Sequence, residues 1–439
     1  MKNKITVIGA GLAGSEAAYQ LAKRGFEVDL WEMRPKKSTP AHTTAGFGEL
    51  VCSNSLKSNA LTNACGLLKE EMRSLDSLII RAADKTALSC DDKSAALSVD
   101  REKFSHCITE AILNEPNINV IYDEYTDKIT DNTVIATGPL ASDAICNNLK
   151  ELLGSDFLNF YDASAPIIDA DSIDMSKCFK GSRFGEGGDD YINCPMSKAE
   201  YYAFVDALLT AQAAEVHGFE KDMVFEGCMP VEIMAARGVD TLRFGPLKNT
   251  GFERADGTRP YAVVQLRSEN GDNTMYNMVG FQTHLKFPEQ KRVFSMIPGL
   301  ENAVFHRYGV MHRNTYIDSP RLLDGAYSLK SNSSIYVAGQ ISGVEGYVES
   351  AASGLTVGLM AASRAMGNEV LLPKETMIGA LASYVSNPGV FDFQPMNANY
   401  GIIPKILEKM PKQEKQTKYA QRALEKIEEF KKSSYWLFN

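Results

Sequence analysis

Along the first part of the chain, apolar positions switch between strand-like runs and helical stripes. Lys4–Ile8 reads as a short apolar strand that leads directly into Gly9, Gly11 and Gly14. From Ser15 to Arg24, Ala17, Ala18, Leu21 and Ala22 recur at helical spacing, and Gly25 closes the segment. Val28–Trp31 is a second strand, ending in Glu32. Leu68, Met72, Leu75 and Ile79 lie on one stripe, which predicts a single helix over Leu67–Ile80. Asp100 is placed to cap a helix running to Leu113, and residues 118–138 read as two or three strands. Ser197 and Glu200 have capping-box spacing, which predicts a helix over Ser197–Val216. Tyr261–Leu266 and Thr274–Gln282 read as strands of a partly antiparallel sheet. A polar helix over Lys415–Lys432 carries an apolar stripe of Tyr419, Ala423, Leu424, Ile427 and Phe430.

The opening unit has the spacing of a dinucleotide-binding fold. In Gly9-Ala10-Gly11-Leu12-Ala13-Gly14, Gly9 permits the tight turn, Gly11 lets the backbone approach a pyrophosphate, and Gly14 lets helix and strand pack closely. The helix N-terminus offers free N–H groups and partial positive charge to phosphates. Glu32 suits ribose hydroxyls and disfavours a 2′-phosphate. Two later segments favour FAD over NAD. Thr133–Thr137 is a strand ending in Ala-Thr-Gly138. Ser334–Gly339 is another, followed by Gln340, Gly346, Tyr347 and a small-residue run to Gly354. Both resemble segments of glutathione-reductase-type flavoproteins, with Gln340 where many of those proteins carry Asp. No second such glycine motif follows a strand, so no dedicated NAD domain is expected.

Residues 34–65 form a long polar stretch beside the cofactor motif, the signature of a functional loop. Character changes after about residue 155 and returns to the flavoprotein pattern after about residue 300. The expected fold is therefore α/β: a glutathione-reductase-type FAD-binding Rossmann-like domain from residues 1–155 and 300–439. A smaller α/β domain, residues 156–299, is inserted in it to bind substrate or RNA.

The net charge of −9 argues against a protein that is basic all over, but it leaves room for a local basic face. Residues 402–439 carry nine Lys/Arg against five Glu, a local excess of four positive charges. That segment reads either as a helix packed on the body or as part of an RNA-binding face. No apolar run reaches membrane-spanning length, and no leader is expected ahead of so early a strand, so the expected location is cytoplasmic. The eight cysteines form no C-x-x-C or zinc-type cluster, so no metal is expected.

Several segments form a set, in which Cys-Ser-Asn-Ser and Glu-Gly-Cys-Met-Pro are the specific ones: Trp31-Glu-Met-Arg-Pro35, Pro40-Ala-His-Thr43, Glu49-Leu-Val-Cys-Ser-Asn-Ser55, Gly66–Met72, Phe225-Glu-Gly-Cys-Met-Pro230, Gly280-Phe-Gln-Thr283 and Gly309–Thr315. With the glycine motifs they resemble the folate- and FAD-dependent tRNA uracil-5-methyltransferases, a family related to a larger flavoprotein that modifies wobble uridines. The resemblance spans residues 1 to about 355. It implies transfer of a one-carbon unit from methylenetetrahydrofolate to C5 of a T-loop uridine, with reducing equivalents passing from NADH or NADPH through FAD. C5 of uracil is a poor nucleophile until a thiolate adds to C6, so the chemistry needs a cysteine, a base, a flavin and a group that polarises the carbonyl.

Cys228 and Cys52 are the candidate thiols. Cys228 is assigned as the C6 nucleophile, and Cys52, with Lys57 near in sequence, as an assisting or protecting thiol or a participant in the one-carbon step; the reverse assignment stays open. Glu226 and Glu349 are candidate bases. His284 is a candidate for stacking on folate and Tyr347 for stacking near the flavin, although either ring could equally belong to a core. His312 and Arg313 could bind anions of folate or RNA, or form a surface pair. Arg237, Arg243, Lys248, Arg254 and Arg259 are dense enough in sequence for phosphate contacts. Three other functions remain open at this level: the same chemistry on 23S ribosomal RNA, a flavin disulfide oxidoreductase, and a non-catalytic RNA-binding flavoprotein.

Overall fold

The computed structural model describes residues 4–39, 41–88, 96–154, 158–183, 191–214, 229–252, 258–390 and 393–438. The first stretch of chain forms β1 (Lys4–Ile8), α1 (Leu12–Lys23), β2 (Glu27–Glu32), β3 (Ser55–Ser58), α2 (Ala64–Ser74), α3 (Leu78–Lys85), β4 (Ala96–Ser98), α4 (Arg101–Leu113), β5 (Ile118–Tyr122), β6 (Thr133–Ile135) and α5 (Asp143–Leu153). The middle forms β7 (Leu158–Ala163), β8 (Ile167–Asp169), β9 (Phe179–Lys180), β10 (Tyr191–Met196), α6 (Lys198–Leu209), α7 (Val231–Ala236), β11 (Ala262–Ser268), β12 (Met275–Met278), α8 (Phe287–Phe294) and β13 (Phe305–Arg307). The chain ends with β14 (Met311–Tyr316), α9 (Ser319–Leu322), β15 (Ser328–Leu329), β16 (Asn332–Val337), α10 (Tyr347–Ala365), α11 (Met377–Val385) and α12 (Lys412–Ser433).

Two six-stranded sheets organise these elements, each over its own apolar core. The first sheet has the order β15-β16-β6-β1-β2-β5 and is parallel except at the β15 edge. Its strands come from both ends of the chain, which sets the C-terminal strand β16 one place from β1 across β6. This is the Rossmann-like arrangement, with a crevice at the carboxyl ends of the strands. The second sheet, β13-β8-β12-β11-β10-β9, is antiparallel and draws only on residues 167–307. The antiparallel pair β7–β14 connects the two.

Helices α1 and α10 lie unusually close. A Cβ at Gly354 would sit 2.2 Å from the Ala13 carbonyl oxygen, and one at Gly358 would sit 2.6 Å from Gln20 Cβ. Gly14 is as constrained, since a Cβ there would meet the Gly9 carbonyl oxygen at 1.7 Å. Helix α12 buries Tyr419, Ala423, Ile427 and Phe430, and Ser74 at the end of α2 bonds its Glu428.

The single helix expected over Leu67–Ile80 is two helices. The chain breaks at Asp76, which has a left-handed φ of 59°, and Ser77 caps α3 by accepting the Ile80 N–H. A buried tertiary contact reinforces the break: the Glu16 carboxylate accepts the Leu78 and Ile79 N–H groups at 3.1 and 2.9 Å and the Ser77 hydroxyl at 2.7 Å. Both Leu75 and Ile79 are buried, so the stripe reported the core correctly but not the interruption.

Glu71 does for α11 what Glu16 does for α3. Its fully buried carboxylate accepts the N–H groups of Met377 and Ile378 at 2.7 and 2.8 Å. Burial nevertheless dominates and pushes its pKa from about 4.5 up to about 8. A carboxyl raised this way lets the fold take up a proton that the unfolded chain releases. Its contribution is favourable at low pH and is lost as pH rises through the folded-state value. Glu71→Gln removes the titration. Wild type should therefore lose melting temperature relative to Glu71→Gln between about pH 5 and pH 8. Melting curves that stay parallel across that range would refute the assignment.

Candidate functional site

The crevice at the carboxyl ends of the first sheet is an open cleft. Its wall includes Gly9, Gly11, Leu12 and Ala13 from the first turn, Glu32 and Arg34 after β2, Gly138 after β6, and Gly339, Gln340 and Tyr347 from the C-terminal segment. Ala10 is fully buried behind it, and Gly14 packs on Gly9. Gly9 has a φ of 100°, and a Cβ there would come 2.5 Å from the Ala136 carbonyl oxygen, so the turn admits only glycine. Gly11 differs: no atom lies within 4 Å of its would-be Cβ. A glycine with empty space beside it, at a helix N-terminus that opens on this crevice, is a cradle for a pyrophosphate. The residues present fit FAD. Gln340 lines the same cleft and donates from Nε2 to Glu345 at 2.6 Å.

Glu32 is tied into a buried network. It accepts the Ala10 N–H at 3.0 Å, the Arg34 N–H at 3.0 Å and the Arg34 guanidinium at 2.9 and 3.2 Å. Those four bonds fix the orientation of its carboxylate. Burial works against the charge, but Arg34 holds the Glu32 pKa below the usual carboxylate range. Arg34 also reaches Glu49 at 3.0 Å, and Glu49 in turn holds the Thr43–Thr44 turn. The carboxylate that sequence spacing assigned to a ribose thus also braces the glycine loop. Arg34 was not singled out from the sequence, although it stands in the Trp-Glu-Met-Arg-Pro segment.

Cys52 sits at the rim, next to the cleft-lining Val51. The Tyr347 hydroxyl accepts the Cys52 N–H at 2.7 Å and donates to Cys52 Sγ at 2.9 Å. Burial, and then the neighbouring Cys52, push the Tyr347 hydroxyl well above its ordinary pKa, which keeps it protonated as a donor. Arg101 and Arg307 stand close enough to interact electrostatically with Cys52. Burial opposes the charge of Arg101, but Glu269, bonded to it at 2.6 and 2.9 Å, more than offsets this. Lys57, the cation nearest Cys52 in sequence, does not serve it. With a left-handed φ of 61°, Lys57 turns toward Glu349 and pairs with it at 3.2 Å. Glu349 is fully buried and also accepts the Ala398 N–H at 3.0 Å. Gly346 leaves room for it, since a Cβ there would lie 2.2 Å from Glu349 Oε2. Arg101 and Arg307 were missed because they are 49 and 255 positions from Cys52 in the sequence.

The Cys-Ser-Asn-Ser loop is also held by the second sheet. Arg267 on β11 donates to Asn54 at 3.0 Å and to Ser53 at 2.6 Å, and Asn54 donates to Ser268 at 2.9 Å. Cys228, Glu226 and Arg254 lie outside the described residues. Just beyond them, Glu232 in the first turn of α7 accepts the Thr283 hydroxyl at 2.9 Å and the His284 N–H at 2.8 Å, and pairs with His284 Nδ1. His284 is thereby fixed to the helix that follows Cys228, and nothing in the sequence spacing pointed to Glu232. His312 and Arg313 lie on β14, opposite Asp162 and Tyr161 of β7. Arg243 is committed locally, stacked 3.7 Å over the Tyr261 ring and paired with Asp240 at 3.4 Å. Arg237, Lys248 and Arg259 are exposed, and Phe244 among them is 83% exposed.

The family described as glucose inhibited division protein A matches residues 4–369. A Lactobacillus johnsonii protein named methylenetetrahydrofolate–tRNA-(uracil-5-)-methyltransferase is 56% identical over 435 residues, covering 98% of this chain and 99% of that protein. A Listeria monocytogenes protein of the same name is 55% identical, covering 97% and 98%. The solved structure of Aquifex aeolicus GidA shares the fold, with a TM-score of 0.71 at 17% identity, covering 99% of this chain and 75% of that one.

Tyr347→Phe removes the only hydroxyl seen to bond Cys52 Sγ among the described residues. A lost hydrogen bond of about 1 kcal/mol should slow alkylation of Cys52 by iodoacetamide at neutral pH about fivefold. Peptide mass mapping reads this directly, and an unchanged rate would separate Tyr347 from the thiol's reactivity.

Proposed function

This chain belongs to the glucose inhibited division protein A family, and we propose that it methylates C5 of a tRNA uridine, with methylenetetrahydrofolate as one-carbon donor and FAD as bound flavin. The observation that carries this reading is a thiol, Cys52, bonded to Tyr347 at the rim of a dinucleotide cleft, in a chain that matches curated uracil-5-methyltransferases almost end to end. The names of those relatives specify tRNA, which favours it over ribosomal RNA and over the oxidoreductase and non-catalytic readings.

Gly9 to Gly14, Glu32, Gly138, Gly339, Gln340, Gly346, Tyr347 and Gly354 are assigned to holding FAD, the last through close helix packing. When bound, the flavin supplies the hydride that completes the methyl group, and NADH or NADPH is the reductant that restores it. Cys228 is assigned to add to uracil C6, which makes C5 nucleophilic toward the folate methylene group. Cys52 assists, its thiolate favoured by Tyr347, Arg101 and Arg307. The attachment of its loop to the second sheet through Ser53 and Asn54 would bring the flavin side and the RNA side of the reaction together. Glu232 is a positioning residue: it orients His284, assigned to stack on the folate, relative to the Cys228 segment. Glu226 is assigned as base. Glu349, buried against Lys57, is better suited to holding the start of α10. Exposed Arg237, Lys248 and Arg259 suit phosphates, and Phe244 suits stacking on an unpaired base. His312 and Arg313 are assigned to the same RNA or folate anions. Such an enzyme works in the cytoplasm.

The test supplies the protein with methylenetetrahydrofolate, NADPH and unmodified tRNA, and measures 5-methyluridine. Wild type should produce it, and Cys228→Ala should abolish it. Full activity of Cys228→Ala beside an inactive Cys52→Ala would reverse the two thiol roles, and dependence on S-adenosylmethionine would overturn the mechanism. Glu232→Gln should raise KM for the folate more than it lowers kcat. Phe244→Ala should raise KM for tRNA about tenfold, the equivalent of one lost stacking contact, with KM for folate unchanged.

A further inference from the structure

The sequence holds no closely spaced cysteine pair, but the fold makes one. Cys178 Sγ and Cys194 Sγ stand 3.4 Å apart, although sixteen positions separate them. Strands β9 and β10 pair with Phe179 opposite Asn193 and Lys180 opposite Ile192. One step further along the same register, Cys178 faces Cys194. Directly opposed residues of an antiparallel pair have Cβ atoms about 4.5–5.5 Å apart, a small adjustment from disulfide geometry. Both are free thiols, and neither lines the flavin cleft.

Their surroundings are unequal. Cys194 is fully buried in the second core, whereas Cys178 is half-buried before the edge strand β9. Gly299 opens the space beside Cys178, for a Cβ there would lie 2.2 Å from its Sγ. Asp174, Lys177 and Glu301 are the charged groups around it. The shared hydrogen bond lowers the Cys178 pKa, and the same bond together with burial raises that of Cys194. A reachable attacking thiol backed by a buried partner is the arrangement that thiol–disulfide exchange requires.

We propose that Cys178 and Cys194 form a thiol–disulfide exchange site for small-molecule disulfides, separate from the uridine chemistry. The Cys178 thiolate attacks one sulfur of a disulfide RSSR, forming a mixed disulfide and expelling RS⁻, which takes up the proton that Cys178 lost. Cys194 then attacks Cys178 Sγ, forming the protein disulfide and releasing the second RSH. Two protein thiols are oxidised and one RSSR is reduced to two RSH. The product would tie down β9, whose continuation runs through Gly181 to Arg183, the residue that holds the Lys248 and Thr250 carbonyls.

The experiment uses the full-length protein with oxidised glutathione as the probe, thiol alkylation to stop the reaction, and peptide mass mapping. Wild type should yield a Cys178–Cys194 cross-linked peptide. Cys194→Ser should stop at a glutathione adduct on Cys178, and Cys178→Ser should leave Cys194 unmodified. The proposal is overturned if no cross-link forms while the other thiols react, or if Cys194 is modified as fast in Cys178→Ser as Cys178 is in Cys194→Ser. Unchanged flavin absorbance and melting temperature identify the variants as folded. Cys178→Ala with Cys194→Ala, which removes both sulfurs, serves as a second background in which the cross-link must vanish.

Discussion

Helix α10 lies against α1 with glycine at the tightest points of contact, and at Gly354 the backbone of one helix nearly touches that of the other. This crossing joins the two ends of the chain. Helix α1 carries the phosphate-binding turn at its N-terminus, and α10 begins at Tyr347. Drawing the helices together places Gly339 beside Ala13 and brings the Tyr347 hydroxyl to Cys52, which is 295 positions earlier. A larger residue at the crossing would push α10 outward and carry that hydroxyl with it, because packed interiors absorb extra volume by shifting backbone. The geometry at the rim of the cleft is therefore set by a contact well inside the helices.

The second dependence is on buried charge that links the two units. Arg101 belongs to the first unit, yet its partner Glu269 follows β11 in the second. Arg267 reaches in the opposite direction, from β11 to Ser53 and Asn54. Buried ion pairs of this kind are weak evidence for stability, because desolvation offsets much of their attraction. Their directional value is greater here. Removing one partner would leave a charge stranded, so the two units have a strong preference for one relative placement, and the Cys52 loop lies within it.

Elements that depend on local pattern were legible in the sequence. The glycine loop, the Asp100 cap and the Ser197–Glu200 capping box are specified by residues within one or two turns, and the structure contains all three. The break between α2 and α3 was not legible, because the carboxylate that fixes it comes from Glu16 in another helix. The site shows the same division. The cleft followed from spacing, since a strand, a turn and a helix are contiguous. The cations at Cys52 did not follow, because proximity in sequence favoured Lys57, whose backbone turns it toward Glu349. Arg101, Arg307 and Glu232 acquire meaning only when strands from separate stretches of the chain are adjacent.

Cysteine illustrates why residue type alone decides so little. Cys65 is buried beside Lys69, a cation that should favour its thiolate, yet burial prevails and raises its pKa to about 11. The Lys69 ammonium is directed mainly at the carbonyls of Leu56 and Ser58, which leaves the sulfur at 3.6 Å as a minor partner. Cys52 receives a hydroxyl aligned on its sulfur and has two guanidinium groups nearby. At Cys178 the hydrogen bond with a second thiol is the largest influence and lowers its pKa, although burial and the Asp174 and Glu301 carboxylates oppose it. In all three cases, what the sulfur can do depends less on the nearest charge than on whether that charge or donor is already committed elsewhere.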